Sequence, residues 1–112
     1  MKKLLGAAFA FAVCISMISV SANAQRPWWC SQNRAMNCTE TVICATPQLA
    51  RLDVEMSSLY HTLQSYSGRR DARRLLESQR GWLRARNSCG CNANCLVGYY
   101  SRRIGLFRAI LY

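Results

Sequence analysis

The chain has 112 residues, seven of them cysteine, and a formal net charge of +10. A chain of this length forms one small domain rather than several. Such a domain has a thin core and often needs covalent cross-links to be stable. Six cysteines form two groups of three beyond residue 29, and an even number in a short exported chain indicates disulfides. The oxidising compartment that disulfides require argues against most metal-binding and enzymatic functions.

The first 24 residues have the pattern of a secretory signal peptide. A positive start with two lysines precedes an almost wholly apolar stretch from Leu4 to Val20. The small residues at positions 21–24 predict cleavage after Ala24, which leaves a domain of residues 25–112 in the periplasm or outside the cell. A membrane anchor is the alternative, and it is disfavoured because the apolar run is slightly short for a span of about 20 residues.

The charge of the domain after cleavage comes from arginine alone. Residues 25–112 contain thirteen arginines, no lysine and five acidic residues, for a net charge of +8. Such a surface favours anionic partners, namely lipid headgroups, acidic envelope polymers or an acidic protein. Export argues against nucleic acid as a partner. The alternative explanation is that arginine reflects genomic composition and the charge mainly provides solubility.

Apolar spacing predicts a short helical turn at residues 39–44 and then three main helices. Thr46 is predicted as the N-cap of the first, with Pro47 at its first position, and an apolar stripe continues to Tyr66. Gly68 is predicted to end this helix in the left-handed conformation.

The second and third helices are predicted for residues 70–87 and from about Asn94 onward. The stripe of the second helix consists of Ala72, Leu75, Leu76, Gln79, Trp82, Leu83 and Arg86. Its arginines away from the centre of that stripe are Arg69, Arg70, Arg73, Arg74, Arg80 and Arg84. The stripe of the third helix consists of Leu96, Tyr100, Ile104, Phe107 and Leu111. No alternating strand pattern occurs, so the predicted fold is a small all-α, disulfide-stapled bundle of three main helices and a short N-terminal helical turn.

Several short motifs follow one another in order between residues 28 and 107. They are Trp28-Trp29-Cys30; Thr39-Glu40-Thr41-Val42-Ile43-Cys44; Leu49-Ala50-Arg51-Leu52-Asp53 with Tyr60; Gln79-Arg80-Gly81-Trp82-Leu83-Arg84-Ala85-Arg86-Asn87-Ser88-Cys89; and Cys95-Leu96 with Tyr100, Arg103-Ile104 and Phe107. Each motif alone is weak, but the set in this order and spacing is specific. The chain resembles the LprI-type lysozyme-inhibitor domain of bacterial periplasmic and envelope proteins.

The resemblance implies a non-enzymatic binding domain whose partner is a lysozyme-type enzyme. The family usually carries four cysteines, which match Cys30, Cys44, Cys89 and Cys95. Cys38 and Cys91 are additional, and the simplest explanation is an extra pair. We therefore hypothesise the pairs Cys30–Cys44, Cys89–Cys95 and Cys38–Cys91, among the fifteen pairings that six cysteines allow.

Two charged residues lie within or beside the predicted apolar stripes, and a buried charge needs a partner. Asp53 and Arg86 are therefore predicted to form a structural ion pair, bidentate where the geometry permits. Trp82 and Tyr100 fall at core spacing. Of Trp28 and Trp29, one is predicted to cover the bundle and the other to serve as an exposed contact. Together with the six arginines above, the two tryptophans make up a candidate binding face.

No catalytic residue, cofactor or metal site is predicted. His61 is the only histidine and has no second ligand at a suitable spacing. Cys89, Cys91 and Cys95 would suit zinc in a reducing compartment, whereas export favours disulfides. A muramidase needs two carboxylates with separated pKa values, and the acidic residues of this chain are scattered or, at Asp53, committed to structure.

Two functional hypotheses from different classes follow, with a third that needs no ligand. The first is an inhibitor or partner of a muramidase; because the domain is strongly cationic, a cationic lysozyme is an unfavourable target and an acidic one is preferred. The alternative is a binder of anionic envelope material, such as lipopolysaccharide, phospholipid headgroups or acidic glycan, through the arginine face. The third is a module for assembly of a larger envelope complex. The sequence leaves the target and the oligomeric state open.

Overall fold

The computed structural model describes residues 26–112, which form four α-helices preceded by a 3₁₀ turn. The turn spans Trp28–Ser31, α1 spans Cys38–Ala45, α2 spans Pro47–Tyr66, α3 spans Arg69–Asn87 and α4 spans Ala93–Leu111. No strand occurs in this range, so the all-α prediction is confirmed. The predicted signal peptide and its cleavage after Ala24 lie outside the described residues and stay predictions.

The short turn predicted at residues 39–44 is a complete helix, so the described bundle has four helices rather than three. A capping box begins α1: the Asn37 side chain accepts a hydrogen bond from the Glu40 backbone N–H at 2.8 Å. The Glu40 carboxylate in turn accepts from the Asn37 backbone N–H at 3.2 Å. This reciprocal arrangement satisfies two N–H groups that a helix start otherwise leaves unpaired, which stabilises a helix of only eight residues.

The connection between α2 and α3 differs from the prediction. Thr46 and Pro47 occupy the predicted positions at the start of α2, but the Thr46 hydroxyl makes no capping hydrogen bond. The left-handed conformation predicted for Gly68 is wrong, because its φ is −66° and it serves as the N-cap of α3. Only two residues join the helices, so the chain leaves α2 in extended backbone at Ser67 and enters α3 at once. Among residues 26–112 the glycine in the left-handed conformation is Gly90, at φ +59°, in the connection to α4.

The core lies chiefly between α2 and α4, which run in the same direction, while α3 returns antiparallel to both. Its buried apolar residues are Ile43, Leu49, Met56, Tyr60, Leu63, Leu96, Tyr100, Ile104 and Phe107. Leu75 and Trp82 of α3 pack against this cluster half-buried, whereas Leu76, part of the predicted stripe, is exposed. The side of α3 that faces the core is therefore narrower than the sequence suggests.

Three disulfides lie at one end of the bundle, which we call the disulfide end. They join Cys30 to Cys44, Cys38 to Cys91 and Cys89 to Cys95, with Cα–Cα distances of 5.7, 5.2 and 5.7 Å. These are the pairs hypothesised from the sequence. The opposite end, formed by the α2–α3 connection and the last turn of α4, carries no disulfide; we call it the turn end.

The two disulfides that involve the α3–α4 connection should differ in their effect on stability. Cys38–Cys91 spans 53 residues and Cys89–Cys95 spans 6. Restriction of the unfolded chain predicts losses of about 4 kcal/mol and about 2 kcal/mol when each pair is replaced by serine. Chemical denaturation of the Cys38→Ser/Cys91→Ser and Cys89→Ser/Cys95→Ser variants measures this difference. Equal losses would contradict the loop-length argument.

Candidate functional site

A buried polar cluster connects the three long helices. Asp53 of α2, Arg86 of α3 and Tyr100 of α4 are all buried. The Tyr100 hydroxyl donates a hydrogen bond to Asp53 Oδ2 at 2.5 Å and accepts one from Arg86 Nη1 at 3.1 Å. Arg86 Nη1 also lies 3.7 Å from Asp53 Oδ2. The tyrosine thus bridges two opposite charges that the low-dielectric interior would otherwise leave poorly satisfied.

The ion pair lacks the bidentate geometry that the sequence allowed for. The Nε and Nη2 atoms of Arg86 donate to the side-chain oxygen of Asn87, at 3.2 and 3.0 Å. That side of the guanidinium fork is therefore occupied, and only Nη1 reaches toward Asp53. The Arg86 guanidinium also lies 5.9 Å from the centre of the Trp82 ring, which contacts Tyr100 edge to face.

The protonation states of this cluster follow from burial. Burial raises the pKa of the Asp53 carboxyl, while the Tyr100 hydrogen bond, the Arg86 charge and the Trp29 indole act in the opposite direction. Burial and the Asp53 charge raise the pKa of Tyr100 far above its ordinary range, so its hydroxyl stays a donor. These groups join the three long helices through buried hydrogen bonds.

A second buried polar contact, centred on Arg103, was not identified from the sequence. Its Nε and Nη2 donate to Gln79 Oε1 at 3.2 and 3.0 Å, and Nη2 also donates to Ser78 Oγ at 3.2 Å. The guanidinium lies 4.5 Å from the centre of the Phe107 ring. Burial lowers the pKa of Arg103, and no carboxylate within residues 26–112 forms an ion pair with it. Gln79 within an apolar stripe was the available sequence signal, because a buried amide needs a polar partner.

The two tryptophans before the first disulfide have different environments. Trp29 is half-buried against the core, and Arg34 lies 5.8 Å from its ring centre. Trp28 is 73% exposed. Both line a shallow cleft beside the middle of α2, together with Asp53 and Ser57. Trp29 therefore covers the bundle, and Trp28 presents a large apolar side chain to solvent next to the Cys30–Cys44 disulfide.

The six arginines of the predicted binding face are all exposed on α3, and we call this set the arginine face. At 100° per residue they fall within one side of the helix, opposite the buried side chains of Gln79 and Arg86. Glu77 is the acidic residue within that side. Within the described range, no hydrogen bond or cation–π contact joins these arginines to Trp28 or Trp29. The cleft that the two tryptophans line contains none of the six arginines.

The acidic side chains are largely committed to arginines. Glu40 pairs with Arg34 at 2.5 Å, and Glu55 pairs with Arg108. The hydrogen bond from Arg34 lowers the pKa of Glu40. Across residues 26–112 no group of three His, Cys, Asp or Glu side chains is placed to hold a metal ion.

Comparison with known proteins identifies the family. The family described as "Lysozyme inhibitor LprI" matches residues 30–106, and the chain belongs to it. No curated protein and no solved structure matches the chain significantly. Membership and the three disulfides together fit a location outside the cytoplasm. None of the described helices is long and apolar enough to cross a membrane.

Removal of Arg86 should destabilise the fold severely. Arg86→Ala leaves the buried Asp53 carboxyl with one hydrogen-bond donor and no cation, which predicts a loss of about 3–5 kcal/mol in the free energy of unfolding. Arg84→Ala is the matched control, because it removes an exposed arginine two residues earlier and should change stability by less than about 0.5 kcal/mol. Urea denaturation of both variants is the measurement. Equal stability of the two would show that the cluster contributes nothing.

The raised pKa of Asp53 predicts a specific pH dependence. A carboxyl that binds its proton more tightly in the folded chain stabilises the fold at low pH, and this contribution is lost as pH rises through the folded-state pKa. The stability of the wild type relative to Asp53→Asn should therefore fall as pH rises above the ordinary range of an aspartate carboxyl. The stability of the wild type relative to Glu40→Gln should show the opposite trend and rise with pH. The carboxyl pKa of Glu40 is lower in the folded chain than in the unfolded chain, so the ionised carboxylate stabilises the fold at pH values above the unfolded-state pKa. Denaturation at several pH values tests both signs.

Proposed function

We propose that the domain is an exported, non-enzymatic protein that binds and inhibits a lysozyme-type muramidase. The observation that carries this proposal is the family match across residues 30–106. The fold supports it, since three disulfides hold a small domain rigid in an oxidising compartment. A rigid surface loses little conformational entropy on binding, which favours tight inhibition.

The surface around Trp28 is the proposed contact with the enzyme. Its indole is exposed, yet its backbone belongs to a 3₁₀ turn that includes the disulfide-bonded Cys30. Tryptophan is enriched among the residues that dominate binding energy at interfaces. An anchored, solvent-facing indole beside a cleft therefore has the properties of such a contact.

Charge defines the kind of muramidase that the domain should inhibit. With thirteen arginines and five acidic residues beyond residue 24, the domain repels a strongly cationic enzyme. Glycoside hydrolases of this class carry two carboxyl groups in their cleft, which a positive partner complements. The proposed target is thus an enzyme with an acidic surface around its cleft.

The test is inhibition measured against two muramidases of opposite net charge. Oxidised protein, purified after expression of the full chain, is titrated into each enzyme acting on peptidoglycan. We expect inhibition of the acidic enzyme at lower concentration than the cationic one, with a difference that shrinks as salt screens the charges. Absence of inhibition of either enzyme would argue against the proposal, and equal inhibition of both would argue against the charge preference.

Trp28→Ala should weaken inhibition without changing the fold. Loss of a central aromatic contact typically costs at least about 2 kcal/mol, or roughly 30-fold in the inhibition constant. Leu106→Ala is the control, because it removes another exposed apolar side chain from a different element, α4. Matching circular dichroism spectra verify folding. An unchanged inhibition constant for Trp28→Ala would exclude this surface as the contact.

The arginine face supports a second candidate function, the binding of anionic envelope material. Arginine binds phosphate and carboxylate through two parallel hydrogen bonds, and six exposed arginines on one helix offer several such sites. This function does not depend on Trp28, so the Trp28→Ala variant separates the two candidates.

A further inference from the structure

The turn end presents apolar side chains to solvent. Tyr66 is 82% exposed, Ile110 is 61% exposed and Tyr112 is 94% exposed. With Leu63 and Leu111 they line one shallow groove between the ends of α2 and α4. Contiguous exposed apolar groups of this kind mark an interaction surface more often than isolated ones do.

Four arginines of the arginine face lie at the same end of the bundle, although none of them lines the groove itself. Arg69, Arg70, Arg73 and Arg74 occupy the first two turns of α3, which begins three residues after Tyr66. All four are exposed, and none forms an ion pair within residues 26–112. Cations at a helix N-terminus oppose the helix dipole, so their placement costs stability and adds to the positive potential at this end. The turn end therefore combines an apolar surface with a strong field that attracts anions.

We propose that the turn end docks on the surface of an anionic phospholipid bilayer. Tyrosine favours the interfacial region of a membrane, where Tyr66 and Tyr112 would lie with Ile110 entering the acyl boundary. The arginines would bind headgroup phosphates. A soluble polyanion would use the arginines but leave the groove exposed, which is why both features together favour a bilayer.

This docking site deepens the second candidate function and is independent of muramidase inhibition. Trp28 lies beside the middle of α2 and does not line the turn-end groove. A domain held at the bilayer by its turn end would keep Trp28 accessible to an enzyme.

Vesicle co-sedimentation tests the proposal. Oxidised protein from full-chain expression is mixed with vesicles of phosphatidylglycerol and phosphatidylethanolamine, or of phosphatidylcholine alone. We expect binding to the anionic vesicles that weakens with salt and is at least about tenfold weaker on phosphatidylcholine. All variants share the N-terminus of the wild type, verified by mass spectrometry, so any contribution of residues 1–24 is common to them.

Two pairs of variants separate the features of the site. Arg69→Gln/Arg70→Gln should weaken binding about 30-fold, at about fivefold per arginine near the surface. Arg80→Gln/Arg84→Gln removes the same charge from the same helix farther from the turn end and should weaken it by less than about fivefold. Tyr66→Ser/Ile110→Ser should weaken binding at least about tenfold at constant charge.

Each contrary outcome has a distinct meaning. If the wild type does not bind anionic vesicles, both the docking site and its lipid ligand are wrong. If both arginine pairs have equal effects, or if Tyr66→Ser/Ile110→Ser binds like the wild type, the protein is a general polyanion binder and the docking site is wrong. If sedimentation analysis shows that Tyr66→Ser/Ile110→Ser converts a dimer to a monomer, the groove is occupied by a second copy and the proposal is overturned.

Discussion

Burial of the Asp53 carboxyl is the constraint on which the arrangement of the long helices depends. A carboxyl removed from water needs hydrogen bonds and a compensating charge, and here they come from two other helices. Tyr100 of α4 supplies the hydroxyl and Arg86 of α3 supplies the cation. Because each group belongs to a different helix, the cluster fixes how the three helices are rotated relative to one another. The side of α3 opposite Arg86 must then face solvent, and that is where the arginine face lies.

The distribution of covalent and noncovalent restraints gives the two ends of the bundle different chemistry. The three disulfides restrain the N-terminal turn, α1 and the α3–α4 connection. The turn end has no disulfide and is held by apolar packing. The Glu55–Arg108 ion pair also joins α2 to the last part of α4. In this small domain the disulfides lie at one end, and exposed apolar side chains lie at the other. Inhibition through Trp28 and docking through the turn end would therefore use separate surfaces.

The sequence predicts a contact best when each residue by itself shows what kind of partner it needs. Asp53 and Arg86 fall within or beside apolar stripes, so each required a partner of opposite charge, and the structure brings them together through Tyr100. The role of Arg103 was not predicted, because its partners are the neutral side chains of Gln79 and Ser78. A buried amide signals that a polar partner exists, but without a complementary charge it does not indicate which residue that partner is. Gly68 was assigned a left-handed conformation from its position after a stripe, but the two-residue connection required extended backbone instead.

The sequence by itself determined the family, the helical class and the approximate helix bounds, because motif spacing, helix periodicity and capping residues are local properties. It also determined that the arginines of α3 share one side of a helix. Only the tertiary structure decided that Trp28 is exposed while Trp29 is covered, and that Tyr66 and Ile110 meet at the same end. These outcomes depend on how helices distant in the chain pack against one another, and a periodic pattern identifies the buried side of a helix without identifying its neighbour.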